Sequence, residues 1–175
     1  MKTIRTKVYQ FSELSDSAKK TAIQWFLNSF DDSYAWDDIQ EDANQIGLKI
    51  ISIDDHRPNK GEFITSAYEV SCKIVQEHGA NCDTHKTAVQ FGKDWAALVE
   101  KYNDGITLDK VSEDNEYDFD QDADELESEF MQSLLEDYRI MYNNQVEYEY
   151  SDEFAKETIE ANEYDFTKDG KRFNK

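Results

Sequence analysis

The chain has 175 residues, and its 19 Lys and Arg against 39 Asp and Glu give a formal net charge of −20. At 38% hydrophobic and 13% aromatic residues it has enough apolar mass for a core, which excludes full disorder, and no apolar run reaches the ~20 residues of a membrane span. The negative field repels nucleic acid, and two cysteines are too few for a disulfide scaffold. We therefore expect a cytoplasmic protein with neither direct nucleic-acid binding nor membrane contact.

The domain organisation follows from the linker residues and the charge distribution. One Pro and 6 Gly leave no flexible linker, so we predict a single domain over residues 1–175. Half of the charge excess falls in residues 112–129, and we interpret about 104–125 as an acidic insertion. A domain boundary near 104–121 is the alternative. The fold class predicted from the elements below is α+β, a helix-rich domain with a small antiparallel sheet and this insertion.

The first predicted elements are a strand and a helix. Alternating side chains rich in β-formers predict a strand over residues 3–11. Ser15 or Ser12 then caps a helix that runs to Phe30, because apolar residues recur at spacings of three and four. This spacing predicts that one face of the helix packs on the core.

A helix and the small sheet come next. The pattern predicts a short helix over residues 36–46, ended by Gly47, which is a natural left-handed terminator. A strand over residues 48–53 follows it directly. A second short strand is predicted over residues 62–65, after a turn region, so that the two can pair.

Four more elements complete the prediction. Apolar periodicity indicates helices over residues 66–78, 84–102 and 122–143, and a serine cap begins a last helix over residues 151–162. An Asp-Gly pair at 169–170 predicts a turn between two short extended segments. The acids at the start of the third of these helices suit the positive end of its dipole.

The highest density of charge is one run of acids without any Lys or Arg among them. Its members are Glu113, Asp114, Glu116, Asp118, Asp120, Asp122, Asp124, Glu125, Glu127 and Glu129. If residues 112–129 are helical, they span about 27 Å, with one charge per roughly 2.7 Å, against ~3.4 Å per phosphate along one DNA strand. A second cluster consists of Asp31, Asp32, Asp37, Asp38, Glu41 and Asp42. We interpret the two clusters as a partner-binding surface that imitates DNA and attracts a basic protein.

Two alternatives for the acidic run stay open. Charge runs are commonly solvated faces without a partner. The run also resembles a calcium-binding EF-hand loop, because four acids alternate from Asp118 and Glu129 falls at the twelfth place. Ala123 occupies the sixth place, where the sharp turn of such a loop needs Gly. The match is therefore incomplete.

A second set of metal-ligand types lies in the middle of the chain. Cys72, His78, Cys82 and His85 fall within fourteen residues, but their spacing matches none of the paired spacings of structural zinc sites. We assign no metal site and no cofactor, and keep a calcium- or zinc-binding structural module as the alternative function. The sequence contains no G-x-S-x-G, Walker A or H-E-x-x-H motif, so we predict no catalytic residues and no enzymatic activity.

The basic residues of the amino-terminal segment indicate two kinds of contact. Lys2, Arg5 and Lys7 would pair with acids within the domain, or would support a homodimer through the acidic face.

Several segments resemble a family of small uncharacterised proteins encoded by bacteriophages and prophages. These are residues 8–15 (VYQFSELS), 61–79, 135–141 (LEDYRIM) and 157–164 (ETIEANEY). The resemblance covers most of the chain apart from 104–121, and transfers no catalytic or binding residues. It implies a phage context, in which small acidic proteins often bind and block a host protein, including nucleases of defence systems.

The sequence thus predicts a phage-encoded acidic protein located in the host cytoplasm. It would bind and inhibit a basic host protein, namely a nucleic-acid-binding defence protein, by DNA mimicry of the anti-CRISPR or anti-restriction type. A phage assembly subunit without inhibitory activity is a further alternative.

Overall fold

The computed structural model describes residues 7–30, 33–54, 56–102 and 116–174. Its helices and strands are α1 (Asp16–Ser29), α2 (Ala35–Ile46), β1 (Leu48–Ser52), β2 (Lys60–Phe63), α3 (Ala67–Glu77), α4 (Asp83–Tyr102), α5 (Glu116–Glu149) and α6 (Asp152–Ala161). The strands β1 and β2 form a two-stranded antiparallel sheet. The predicted α+β class, rich in helix and with a small antiparallel sheet, is confirmed.

Internal packing divides the chain into two compact units. Unit 1 comprises Met1–Ala35 and Asn143–Lys175, and unit 2 comprises Trp36–Tyr142. The helix α5 contributes residues to both, and neither boundary falls at 104–121. That the whole chain folds as one domain stays a prediction. Among the described residues, no helix combines the length and the apolar composition that crossing a membrane requires.

Unit 1 is built on the contact between α1 and α6. Ser15 caps α1 by accepting a hydrogen bond from the Ala18 amide, at 3.4 Å, so Ser15 rather than Ser12 begins this helix. The buried faces of the two helices meet around Ala22 and Ala155, and Phe166 from the carboxyl-terminal segment fills the space beside them with no exposed surface. Small residues on the helix faces thus leave room for aromatic rings between the elements.

The predicted amino-terminal strand is wrong for the residues that the structure describes, which begin at Lys7. Only Tyr9 is paired there, through two backbone hydrogen bonds of 2.9 Å with Phe166. The next residues, Phe11–Glu13, form one turn of 3-10 helix instead. The Gln10 amide donates to the Glu13 carboxylate at 2.8 Å, so a local cap curls the chain where alternation suggested extension.

The carboxyl-terminal turn is confirmed, and it is tightly docked. The Gly170 amide donates to the Thr167 carbonyl at 2.9 Å, and Gly170 has a φ of +82°. Its α-carbon lies so close to α1 that an added Cβ would stand 2.0 Å from the carbonyl oxygen of Ala18. Glycine is required here both by the backbone conformation and by the close approach.

Unit 2 packs α2, α3, α4 and the sheet around α5. The fully buried side chains of Leu134, Leu135 and Tyr138 form the centre of its core. The ring of Phe130 stacks between Phe91 of α4, at 4.2 Å, and Phe63 of β2, at 5.7 Å. The sheet and α4 are thereby held against the same part of α5.

The helix α5 begins earlier and ends later than the predicted range of 122–143. Residues 116–125, predicted to belong to an insertion, are its first turns, while 104–115 lie outside the described residues. The reason is an aromatic anchor: Phe119 packs edge-on against Trp95 at 6.2 Å and against Tyr102 at 5.7 Å. These contacts hold the acidic turns against α4 in a way that composition alone does not indicate.

Candidate protein-binding surface

The predicted acidic residues fall into three groups in the structure. Glu113, Asp114, Asp31 and Asp32 lie outside the described residues, and Glu116 is described only as the first residue of α5. Seven acids follow along α5, at Asp118, Asp120, Asp122, Asp124, Glu125, Glu127 and Glu129. Four lie on α2, at Asp37, Asp38, Glu41 and Asp42.

Helical spacing sorts the seven acids of α5 into two rows, one on each flank of its buried stripe. We name Asp118, Asp122, Glu125 and Glu129 the groove row, since they recur at intervals of four, three and four. We name Asp120, Asp124 and Glu127 the far row, with intervals of four and three. The buried or half-buried residues Phe119, Ala123, Leu126 and Phe130 lie between the rows.

The charge density of the two rows approaches that of a nucleic acid. From Asp118 to Glu129 the helix rises about 16 Å, so the six intervals between the seven acids average about 2.7 Å along the axis. The corresponding rise is ~3.4 Å per phosphate along one DNA strand and ~1.7 Å for the duplex. The side chains of Asp118, Asp120, Asp124, Glu125 and Glu129 are exposed, so most of this charge faces solvent.

Asp122, a member of the groove row, is hydrogen-bonded to two residues at the end of α4. Its Oδ2 accepts hydrogen bonds from Lys101 Nζ at 2.8 Å and from Tyr102 Oη at 2.7 Å. The hydrogen bond from Lys101, followed by that from Tyr102, lowers the pKa of the Asp122 carboxyl. Asp122 therefore ties α5 to the end of α4, and its charge is neutralised locally.

Glu127 is the least solvated acid of the far row. Its pKa is raised because burial penalises the charged form, with a further contribution from the neighbouring charge of Asp124. Like-charge repulsion within the far row is thus already present in the free protein. A cationic partner would relieve it, which favours binding of an opposite charge at this flank.

A groove runs between α4 and α5 along the groove row. It consists of two adjoining cavities of about 290 and 360 Å³ that share Asp94, Leu126 and Glu129. Leu98 of α4 and Leu126 of α5 are half-buried in it. The structure therefore combines an apolar floor with acidic edges on one side of α5.

The acids of α2 do not form a second row beside the first. Asp42 Oδ2 accepts a hydrogen bond from Tyr138 Oη at 2.7 Å, so Asp42 contacts α5 nine residues beyond Glu129, about 13 Å further along the helix axis. Burial, together with this bond to Asp42, raises the pKa of the Tyr138 hydroxyl, which therefore stays protonated and donates. Asp37, Asp38 and Glu41 are exposed.

The predicted Cys and His group is not assembled into one site. His78 Nδ1 lies 2.8 Å from Thr84 Oγ1, and its Nε2 lies 3.7 Å from Asp42 Oδ1. The thiol of Cys82 donates to the Gly79 carbonyl, while Cys72 lines a different groove, between α3 and α4. Thr84, which lies at the centre of this network, is 1% exposed and therefore shielded from solvent. The network connects α2, α3 and α4.

The calcium hypothesis requires a loop, whereas residues 118–129 are helical. A helix directs the alternating acids of this run to two flanks, so they cannot surround one ion as an EF-hand loop does. Within the described part of the chain, no three His, Cys, Asp or Glu side chains come together in a way that could hold a metal ion.

Asp137, which the sequence does not single out, is a half-buried acid next to α4. Thr87 Oγ1 donates to its Oδ2 at 2.7 Å. Burial nevertheless raises its pKa, and the charges of Asp83 and Glu136 add to this effect. Its charge at neutral pH is therefore unfavourable for the folded state.

We expect Asp137→Asn to raise the melting temperature at pH 7 by about 2 °C. A raised folded-state pKa means that stability is lost as pH rises through that value, so the advantage of the uncharged variant should be present at neutral pH. It should vanish below the ordinary value of 3.8, where the wild-type carboxyl is protonated in both states. Thermal melts at pH 7 and pH 3.5 test this, with Glu100→Gln, an exposed acid on α4, as control. An equal gain at both pH values would contradict it.

The groove is the feature that sequence reasoning missed. Its α4 wall is formed by Gln90, Asp94, Leu98 and Lys101, at spacings of four, four and three. That spacing places them on one face of the helix, and this could have been predicted from the sequence. The direction of this face toward α5 depends on contacts between distant residues and was not predictable from the pattern.

The fold and the rows together define an acidic, helix-rich α+β protein with a charged helical face beside an apolar-floored groove. Comparisons of the chain with protein-family models, with curated proteins and with solved structures find no match.

Proposed function

We propose that this is a phage-encoded inhibitor that binds a basic, nucleic-acid-binding host protein through α5, in place of that protein's nucleic acid. The observation that carries the proposal is the pair of acidic rows on α5, in which five acids are exposed along about 16 Å of helix axis. The phage context is supported by the sequence resemblance described above. A defence protein that acts on phage nucleic acid is the kind of target that fits both.

The charges of the rows are available to a partner. Within the described residues, the ion pair in these rows is that between Asp122 and Lys101. No described cation pairs with the five exposed acids, so a cationic partner does not have to displace an ion pair within the described residues. Complementary charge of this kind accelerates association and makes it dependent on salt.

The helical scaffold gives the rows a defined geometry. Phe119 and Asp122 hold the first turns of α5 on α4, and Phe130 holds the following turns between Phe91 and Phe63. The acids are therefore positioned before binding, which reduces the entropy that association costs. A disordered acidic tail would lack this advantage.

The proposal is tested by capture from a bacterial lysate with the tagged protein. At about 50 mM salt the Debye length exceeds about 10 Å, and at about 500 mM it falls to about 4 Å. We expect a nucleic-acid-binding protein to be retained at the lower salt, released at the higher salt, and displaced by duplex DNA. Mass spectrometry identifies it. A partner that does not bind nucleic acid, or that duplex DNA fails to displace, would refute the proposed function.

A further inference from the structure

We infer that the groove between α4 and α5 receives a basic amphipathic helix of the partner, with apolar side chains on the floor and Lys or Arg along the edges. This inference rests on the proposed function and specifies which part of the partner the surface recognises.

The dimensions of the groove suit about three turns of helix. Its α5 wall extends from Asp122 to Ser133, which corresponds to about 16 Å of helix axis. A helix lying between two helices is a recurrent mode of peptide recognition, in which anchors recur at intervals of three and four residues. Two adjoining cavities along one line provide room for two such anchors.

The floor supplies apolar contact area. Leu98 and Leu126 are half-buried, and Phe91 and Phe130, which line one of the two cavities, have 3% of their surface exposed. Covering the exposed parts of the two leucines with apolar side chains would remove them from water, which stabilises the complex. This contribution does not depend on charge, so it separates docking in the groove from general attraction to an acidic surface.

Within the described part of the chain, Asp122 is the acid at the groove edges that pairs with a cation. Asp94 of α4 faces Glu125 and Glu129 of α5 across the groove, and among the described residues Asp94 accepts hydrogen bonds from the neutral Gln90 amide, at 2.9 and 3.0 Å. Lys101 also lines the groove, but it is bonded to Asp122. Lys and Arg can lie along the leucines with their aliphatic stems and place their charges at the carboxylates.

The opposite side of α4 provides an internal comparison. There a groove of about 470 Å³ is lined by Tyr68, Val75 and Ala96 among others, and its described lining residues include Lys93 but no acid. The two grooves share a helix and differ in charge. Complementarity therefore directs a basic helix to the groove between α4 and α5.

The test uses a fluorescein-labelled 14-residue peptide of Leu and Lys whose leucines recur at helical spacing, and a scrambled peptide of identical composition. We expect the amphipathic peptide to bind at least about tenfold more tightly by fluorescence anisotropy, a difference of about 1.4 kcal/mol. Equal binding of both peptides would overturn the inference, because it would show attraction by charge alone.

Two adjacent exposed alanines of α4 offer matched variants. Ala97→Phe places a ring in the groove between α4 and α5, whereas Ala96→Phe places it in the groove between α3 and α4, and neither changes the charge. We expect Ala97→Phe to weaken binding of the amphipathic peptide about tenfold and Ala96→Phe to leave it unchanged. Equal effects of the two would overturn the inference.

A charge-reversal pair keeps the inference testable if Ala97→Phe folds poorly. Glu129→Lys changes the groove row and Asp124→Lys the far row, with the same change of net charge on the same helix. The inference requires the larger loss of peptide binding from Glu129→Lys, and equal losses would contradict it.

The outcomes for the inference and for the proposed function are distinguishable. If the lysate yields a nucleic-acid-binding protein whose capture is unaffected by Ala97→Phe, the groove is refuted and the proposed function stands. If the amphipathic peptide binds and Ala97→Phe weakens it, but the captured protein does not bind nucleic acid, the groove stands and the proposed function fails.

Discussion

Neutralising the five exposed acids of α5 is expected to weaken partner binding about sixtyfold at low salt, since five charges at about 0.5 kcal/mol each sum to about 2.5 kcal/mol. The variant carries Asp118→Asn, Asp120→Asn, Asp124→Asn, Glu125→Gln and Glu129→Gln. Asp122 is left unchanged, because its bonds to Lys101 and Tyr102 hold α5 on α4. The loss should appear mainly in the association rate and should shrink as salt screens the charges.

A matched control removes the same number of charges elsewhere. It carries Gln in place of the exposed residues Glu77, Glu100, Glu147, Glu160 and Glu163. Association rates with the captured partner, measured at two salt concentrations, compare the two variants at equal net charge. If both lose binding equally, the overall charge rather than the rows of α5 attracts the partner. Far-UV circular dichroism shows whether α5 is retained, since acids in its first turns also stabilise the helix end.

Gly170→Ala is expected to destabilise unit 1 by about 3 kcal/mol or more. A left-handed conformation costs an L-residue about 1–2 kcal/mol. The added Cβ would also stand 2.0 Å from the Ala18 carbonyl oxygen, so the turn has to move away from α1. Phe166 lies in the same segment and is completely buried, so such a movement would loosen the core of unit 1.

Urea unfolding measures this effect, and Gly79→Ala is its control. A Cβ at Gly79 would meet no atom within 4 Å, and its φ is not in the left-handed region. We expect Gly79→Ala to change the free energy of unfolding by less than about 1 kcal/mol. A Gly170→Ala variant as stable as the control would show that the turn is not docked on α1.

Local signals in the sequence were sufficient for most helix boundaries. Ser15, Ser66 and Ser151 each cap a helix by accepting a hydrogen bond from the amide three residues later. Gly47 ends α2 with a φ of +91°, as its position after an apolar stripe predicted. These features involve neighbours a few residues apart, so the pattern of residue types contains the information.

Contacts between distant residues decided the rest of the fold. The early start of α5 depends on Phe119 meeting Trp95 and Tyr102, which are 24 and 17 residues away. Residues 7–11 form one bridge at Tyr9 rather than a strand, because their partner is Phe166 at the other end of the chain. Period and propensity do not indicate such partners.

The candidate surface shows the same division. By itself the sequence determined that the protein is strongly acidic and helix-rich, and that half of its charge excess lies in one run, residues 112–129, because composition and spacing are properties of the chain. Only the tertiary structure decided which of the acids are exposed to solvent and which are hydrogen-bonded to a neighbouring helix. Packing of α5 on α4 and on α2 places Asp122 and Asp42 in hydrogen bonds between the helices. The same packing leaves Glu125 and Glu129 exposed. It also brings Asp94 and Leu98 beside them, and these residues form the groove. The physical reason is that desolvation and pairing of a carboxylate depend on its neighbours in space.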